Sequence, residues 1–239
     1  MQHLPNTGFD AGTVVVTAAS LARYAEFWLS LESLQVPHGT RLIAARGADI
    51  PHQLNEGVRR MTGSWCWFLG DDHTFEPDLL LKMLSRRMEG VLIPVVPRRD
   101  PPFVPVLMHG PVGPTMMRYA WGELPVSGQF KLPKGDSAGQ AGALVPRRVL
   151  DQLGDPWFEG GKLTPGRLME DMYFIQRLHD LDVPIWIDCE LVMPHIANIT
   201  IIPQVHEGRW YAGHKTAQGP VLWDEPELVG WGNNIRVVG

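Results

Sequence analysis

Two aspartates and a histidine follow directly on an apolar run. Asp71, Asp72 and His73 come after residues 65–69 (WCWFL), a pattern typical of a strand covered on both faces of a parallel sheet. Side chains at the carboxyl end of such a strand face the crevice where open α/β sheets bind ligands. Adjacent carboxylates repel one another unless a cation is present, and oxygen ligands suit Mg²⁺ or Mn²⁺. The pattern indicates a divalent-metal site, with a solvated cap or turn as the alternative.

The elements that must position these residues alternate between strands and helices. Short apolar, often β-branched runs predict strands, and apolar residues at helical spacing predict helices. Strands alternating with helices favour an α/β fold built on a doubly wound, mostly parallel sheet. The predicted strands are 13–18, 41–45, 65–69, 91–96, 141–145 and 185–188, and the predicted helices are 21–34, 52–61, 77–88, 147–153 and 168–181.

Two segments lack clear periodicity. Residues 97–135 are rich in Pro and Gly, and a loop this long in a compact domain is usually functional or carries small strands of its own. Residues 206–239 are rich in Gly, Trp and Pro and are expected to be irregular. We therefore expect one catalytic domain over residues 1–205 and an irregular C-terminal tail over 206–239 that packs on or near the active site.

Composition excludes several classes of protein. The 239 residues carry a formal net charge of -5, which disfavours a general DNA-coating protein, although four arginine pairs leave room for a local polyanion groove. Cys66 and Cys189 lie in apolar runs, so we expect reduced core residues and no disulfide framework or cysteine-based zinc site. No apolar run approaches the about 18 residues of a membrane span, and the first twelve residues lack signal-peptide features. We expect a cytoplasmic chain without stable membrane insertion.

The run WCWFLGDDHTFEPDLL, residues 65–80, resembles the metal-binding segment of GT-A glycosyltransferases, especially the large inverting family that includes many bacterial and phage enzymes. The resemblance covers about residues 13–196 and implies a Rossmann-like three-layer sandwich around a central, mostly parallel sheet. It implies that Asp72 holds the metal, while Gly70 stands where the family has its first acid. Either Asp71 or the backbone then contacts the nucleotide. An alternative alignment makes Asp71, Asp72 and His73 the motif.

A glycine-bearing segment, DSAGQAGALVPRRVLDQLG over residues 136–154, resembles the strand and helix start that line the family's donor-sugar pocket. Gly139 and Gly142 would let the backbone approach a ligand closely. Tight packing or a bulge is an equal alternative for each glycine.

The acidic pair Glu170 and Asp171 resembles the pair that opens a helix in these enzymes, where one member acts as general base. Free N–H groups and the helix dipole favour a carboxylate there, so we expect it to stay ionised. Asp171 is the preferred base and Glu170 the reserve. A plain acidic first turn is the alternative.

A histidine after a late strand resembles the family's histidine ligand. His195 follows the segment 185–194 and would complete a site with Asp72, the diphosphate oxygens and water. The implied cofactor is Mn²⁺ or Mg²⁺, and an imidazole beside carboxylates suits Mn²⁺ better than Ca²⁺.

Less specific matches complete the implied pocket. Arg98 and Arg99 fall where relatives have a mobile loop on the acceptor side, with a solvated charge pair as the alternative. The positions that contact the nucleotide base and ribose in relatives correspond here to Thr17, Ala18, Arg46 and Asn55.

The implied activity is a metal-dependent glycosyltransferase of the hexosyltransferase type, with inversion favoured. Its donor would be a nucleotide diphosphate-sugar, with a uridine carrier as first choice. Its acceptor would be a glycan, a protein, a small molecule or a hydroxymethylated DNA base. A sugar nucleotidyltransferase is disfavoured because no Gly-rich phosphate loop follows the first strand. A transferase-like binding module without catalysis remains a rival because of Gly70.

Overall fold

The computed structural model describes residues 1–18, 24–46, 49–86, 89–99, 103–110, 117–160, 169–196, 200–216, 219–223 and 237–238. Parts of the predicted helices 21–34, 77–88 and 168–181, of the loop 97–135 and of the tail lie outside these residues. The helices in chain order are α1 (Ala25–Ser33), α2 (Ile50–Arg59), α3 (Leu79–Ser85), α4 (Arg147–Leu153) and α5 (Glu170–Asp180), with a 3-10 turn at Trp121–Glu123.

The strands in chain order are β1 (Gln2–Leu4), β2 (Thr13–Thr17), β3 (Gln35–Pro37), β4 (Arg41–Ala45), β5 (Trp65–Gly70), β6 (Val91–Val95), β7 (Leu107–His109), β8 (Met117–Arg118), β9 (Gln129–Lys131), β10 (Ser137–Ala138), β11 (Leu144–Pro146), β12 (Ile185–Val192), β13 (His195–Ile196), β14 (Thr200–His206), β15 (Arg209–Thr216), β16 (Gly219–Trp223) and β17 (Val237–Val238).

A seven-stranded, mostly parallel sheet organises the chain, in the order β4-β2-β5-β11-β6-β12-β9. Strand β2 runs parallel to β4 and β5 on either side, and β6 runs parallel to β12. Strand β11 is antiparallel to both of its neighbours, so β5 and β6 point the same way. Only β11 and the edge strand β9 are reversed among these seven. The carboxyl ends of the parallel strands therefore meet at one edge.

Apolar side chains fill both faces of this sheet. Val14 and Val16 belong to one hydrophobic cluster, whereas Val15 belongs to the other, because successive side chains on a strand point to opposite faces. Helices α1 and α3 contribute to the first cluster, and α2, α4 and α5 contribute to the second. The prediction of an α/β fold with helices on both faces of a mostly parallel sheet is confirmed.

Helix α2 lies close against the central sheet at a glycine. A Cβ atom at Gly57 would lie 2.4 Å from Cγ1 of Val15, closer than two carbon atoms can approach. The helix begins after Asp49, whose carboxylate accepts a hydrogen bond of 2.8 Å from the backbone N–H of His52, the usual role of an N-cap aspartate. This close packing fixes α2 against the middle of β2.

The tail prediction is wrong in its secondary structure. Strands β14 and β15 form an antiparallel hairpin in which His206 pairs with Arg209, so the expected boundary between 205 and 206 falls inside a hairpin. Glu207 and Gly208 both have positive φ, 49° and 74°, as a two-residue type I′ turn requires. Trp210 donates its indole N–H to the backbone of Pro125, at 2.8 Å. The described part of the tail packs on the segment around the 3-10 turn.

The segment 97–135 carries short strands, which is one of the two alternatives expected for it. Strands β7, β8 and β10 form a small antiparallel sheet, and β9 joins the edge of the main sheet. Cys66 and Cys189 are free and buried, as predicted. None of the described helices combines the length and apolar character that crossing a bilayer requires.

Candidate metal centre and active-site cavity

Two chain segments that are distant in sequence pair at the carboxyl edge of the sheet. The backbone N–H of Thr74 donates to the carbonyl of Pro194 at 3.0 Å, and the N–H of Ile196 donates to that of Asp72 at 2.7 Å. His73 and His195 thus face each other as an isolated antiparallel bridge. This pairing brings the acids that follow β5 to the histidine that follows β12.

Asp72, His73 and His195 form a compact cluster of metal-ligating groups. Nδ1 of His73 lies 3.0 Å from Oδ1 of Asp72, and Nε2 of His195 lies 3.3 Å from Oδ2. The two imidazole rings stack with their centroids 4.2 Å apart and their planes 19° apart. One potential ligand atom from each residue lies within 4.8 Å of the others. The predicted pair Asp72 and His195 is therefore brought together, with His73 as a third member.

The tautomer of His195 follows from its other contact. Nδ1 lies 3.0 Å from the carbonyl oxygen of Pro97, and a carbonyl can only accept, so Nδ1 carries the proton. Nε2 is then the nitrogen that faces the carboxylate of Asp72, 3.3 Å from Oδ2. A nitrogen and a carboxylate oxygen at this distance share a proton or a cation, and an N–H bonded to a backbone carbonyl is the usual second contact of a metal-binding histidine.

The charge states of the cluster suit a metal site. Burial raises the pKa of Asp72, but hydrogen bonds and charge from His195 and His73 outweigh it and hold that pKa well below its usual range. Burial lowers the pKa of His73, against the opposing effect of Asp72. A carboxylate and a neutral imidazole are the states in which these residues bind metals.

Gly70 leaves space beside this cluster. A Cβ atom at Gly70 would lie 2.8 Å from Oδ1 of Asp72 and 3.1 Å from Nδ1 of His73. The absence of a side chain at position 70 therefore leaves room for the imidazole of His73 beside Asp72. The nitrogen and oxygen set, together with this space, fits a divalent ion.

A cation of the chain itself also contacts the acid. Nη1 of Arg99 lies 3.2 Å from Oδ2 of Asp72, and the arginine side chain is about half exposed, at 48 %. Arg98 and Arg99 both line the neighbouring cavity. An exposed arginine can leave the carboxylate at little cost, so a metal ion competes with Arg99 for Asp72.

A cavity of about 420 Å³ extends from the cluster along the carboxyl edge of the sheet. This volume is within the range of small-molecule sites. Both arginines and Gln140 contribute polar groups to its wall, and Pro94, Val106 and Met172 contribute apolar surface. The predicted site residues in the wall are Thr17, Asp71, Asp72, Gly139, Asp171 and His195.

Asp171 lies at the start of α5, in the cavity wall. One carboxylate oxygen accepts a hydrogen bond of 2.7 Å from the N–H of Met172. Burial, and next the charge of Glu170, raise the pKa of Asp171 to about 7, although Met172 and Arg98 oppose this. The expectation of a permanently ionised carboxylate is therefore wrong, because loss of hydration outweighs the helix N-terminus. Glu170 does not line the cavity among the described residues.

Three further predicted residues shape the wall. Asp71 is buried, and Thr17 donates its hydroxyl to the carbonyl of Leu69 at 3.2 Å. Gly139 leaves no room for a side chain, since a Cβ would lie 2.6 Å from Cγ1 of Val106 and 3.8 Å from Oδ2 of Asp171. Val106 therefore sets the limit on side-chain size at this position, beside the carboxyl of Asp171.

The remaining predicted residues lie away from the cavity wall, as far as the chain is described. Ala18 is buried, Arg46 is exposed, and Gly142 has a φ of 79° and packs on Pro94. Asn55 is a structural residue. Its amide donates to the carbonyl of Phe158 at 2.7 Å and its oxygen accepts from two backbone N–H groups, including that of Phe158 at 3.0 Å.

His73 was not among the predicted metal ligands, Asp72 and His195. The available signal was the alternative alignment in which three polar residues in a row follow β5. The pairing of residues 72–74 with 194–196 places His73 beside His195. Such non-local pairing cannot be recognised in a single sequence.

Comparison with known proteins finds a structure with a similar fold. No family model and no curated protein matches the chain. Among solved structures, the crystal structure of A197 from STIV is similar with a TM-score of 0.50 at 12% sequence identity, over 84% of this chain and 89% of that one. At this identity the likeness concerns the fold alone.

Proposed function

We propose that this chain is a metal-dependent glycosyltransferase of the GT-A kind, which moves a sugar from a nucleotide diphosphate to an acceptor hydroxyl. The observation that carries the proposal is one cavity whose wall contains both the cluster of Asp72 and His195 and the carboxyl of Asp171. A mostly parallel sheet with a cavity at its carboxyl edge is compatible with a GT-A sandwich.

Asp72 and His195 would hold Mn²⁺ or Mg²⁺ at the diphosphate. A divalent ion there supplies neutralisation of the charge that develops on the departing diphosphate. Arg98 and Arg99 face the same cavity and add positive charge for the phosphate oxygens. Arg99, which lies 3.2 Å from Oδ2 of Asp72, would be free to contact the phosphate oxygens if Asp72 held the ion.

Asp171 would act as general base. The acceptor oxygen forms a bond to the anomeric carbon, the bond from that carbon to the phosphate oxygen breaks, and the hydroxyl proton passes to Asp171. A carboxyl with a pKa of about 7 accepts that proton more readily than an ordinary aspartate, because a base works best with a pKa near the working pH. Glu170 contributes by its charge, which helps raise the pKa of Asp171. Single displacement by this route inverts the sugar.

Release of nucleoside diphosphate from a panel of nucleotide sugars, with Mn²⁺ or with chelator, tests the proposal. We expect metal-dependent release with one carrier, and a fall of about 10²–10⁴-fold in Asp171→Asn, the usual effect of losing a general base. Asp151→Asn, on the exposed side of α4, is the matched control. Unchanged release in Asp171→Asn would overturn the base, and no metal-dependent release with any nucleotide sugar would overturn the function.

A further inference from the structure

The metal cluster contains a second imidazole that the Asp72 and His195 pair does not require. We propose that His73 is a third protein ligand, so that the site consists of two imidazoles and one carboxylate and selects Mn²⁺ and later first-row ions over Mg²⁺. The inference rests on the metal-dependent function proposed above and adds the identity of the ion.

The position of His73 is that of a ligand held in place. Its side chain is 3% exposed, its ring stacks on that of His195, and Nδ1 lies 3.0 Å from Oδ1 of Asp72. Adjacent ligands of an ion at about 2.1 Å are about 3 Å apart. The contacts of Asp72 with both imidazoles, 3.0 and 3.3 Å, have that spacing.

The glycine at position 70 leaves room for this arrangement of Asp72 and His73. Any side chain at position 70 would crowd both Asp72 and His73, at 2.8 and 3.1 Å from its Cβ. The absence of a side chain at position 70 therefore leaves the imidazole of His73 and the carboxylate of Asp72 their place side by side.

Two imidazoles in the cluster determine which ions the site prefers. Imidazole nitrogen suits first-row transition ions, whose affinities for such sites rise from Mn²⁺ toward Ni²⁺ and Cu²⁺. Mg²⁺ prefers oxygen ligands, demands octahedral geometry at about 2.0–2.1 Å and keeps several waters. With two imidazoles and one carboxylate, the described cluster offers Mg²⁺ a single protein oxygen residue.

Direct metal binding to the full-length chain tests the inference without any transfer reaction. Mg²⁺, Mn²⁺ and Co²⁺ are titrated by calorimetry into wild type, His73→Asn and the control His52→Asn, whose residue is exposed on α2. Asparagine keeps a polar atom near the place of Nδ1 but removes the imidazole. We expect wild type and the control to prefer Mn²⁺ and Co²⁺ over Mg²⁺ by about tenfold or more. In His73→Asn the affinities for Mn²⁺ and Co²⁺ should fall by about tenfold or more, whereas the affinity for Mg²⁺ should fall by less than about threefold.

A second measurement uses the wild-type chain, so it does not depend on the folding of a variant at a buried position. Zn²⁺ is added to ¹⁵N-labelled protein, and the imidazole nitrogen resonances are recorded. Two of the nine histidines should each show one nitrogen shifted by metal binding. A single shifted histidine would overturn the proposal.

The outcomes separate the two proposals. Equal affinities in wild type and His73→Asn, with metal still bound, would overturn the role of His73 and leave the metal-dependent function standing. Binding of no ion by the wild-type chain would overturn both.

Discussion

Replacement of Asp171 by asparagine should change how the stability of the fold depends on pH. In the folded chain, burial and the charge of Glu170 raise the pKa of Asp171 from 3.8 to about 7. Between these two values the folded chain holds a proton that the unfolded chain has lost. Stability therefore falls as pH rises through this window, and the full loss is present above about pH 7. Asparagine does not titrate, so the variant escapes this loss.

The size of the effect follows from the two pKa values of Asp171. Linkage between proton binding and folding gives a loss of about 2.5 kcal/mol from this carboxyl between pH 5 and pH 8. Asp171→Asn should thus gain about 2.5 kcal/mol over wild type at pH 8, relative to the same comparison at pH 5. Titrating groups that do not interact with Asp171 cancel in this double difference.

Urea unfolding of both proteins at pH 5 and pH 8 measures that difference. Glu170→Gln is an informative partner, because removing its charge should lower the pKa of Asp171 and reduce the loss while keeping the carboxyl itself. The same variant should move the acidic limb of any pH–rate profile to lower pH. A double difference near zero for Asp171→Asn would refute the raised pKa, and with it the argument that this carboxyl is suited to act as a base near neutral pH.

Three other substitutions give distinct expectations. Gly139→Ala places a Cβ 2.6 Å from Cγ1 of Val106. The resulting shift of the cavity wall should lower turnover by about tenfold to a hundredfold without changing metal affinity. Unaltered turnover would contradict the role of this close contact. Asn55→Ala removes three hydrogen bonds to the 157–158 backbone and should lower the free energy of unfolding, measured in urea, by about 2–4 kcal/mol. Weakened nucleotide binding at unchanged stability would instead support the nucleotide-binding role predicted from the sequence. Arg99→Gln frees Asp72 from an exposed ion pair and should raise Mn²⁺ affinity in calorimetry by up to about fivefold; a lower affinity would show that Arg99 supports the site instead.

Most strands of the central sheet, and the helices beside them, were predictable because their apolar patterns are local; the edge strand β9 was not. The runs at Arg41–Ala45 and Arg147–Leu153 were predicted with the observed ends. Hairpin β14–β15 was missed because its Gly, Trp and Pro residues resemble irregular chain, while its order depends on a two-residue turn at Glu207 and on packing of Trp210 beside Pro125. Neither the positive φ of a glutamate nor a contact across 85 positions is visible in local composition.

The candidate site was predictable where a residue type and a strand end coincide. Asp72 and His195 each follow a strand of the same sheet, so topology brings them together. Asn55 was assigned to the nucleotide by its place alone, and only the fold shows that the backbone of Trp157 and Phe158 uses its amide. The ionisation of Asp171 was misjudged because burial, which raises its pKa, depends on the packing of the cavity wall.

The central claim is that the carboxyl edge of this sheet binds a nucleotide diphosphate through a metal held by Asp72. Thermal unfolding of wild type and Asp72→Ala, with each nucleoside diphosphate and either Mn²⁺ or chelator, tests it most directly. A ligand at 100 times its Kd stabilises the folded state by about 2.7 kcal/mol, which raises Tm by about 5–10 °C in a chain of this size. We expect that shift in wild type with one nucleotide and Mn²⁺, and no shift with chelator or in Asp72→Ala. Unchanged Tm with every nucleotide, or an equal shift in the variant, would contradict the account.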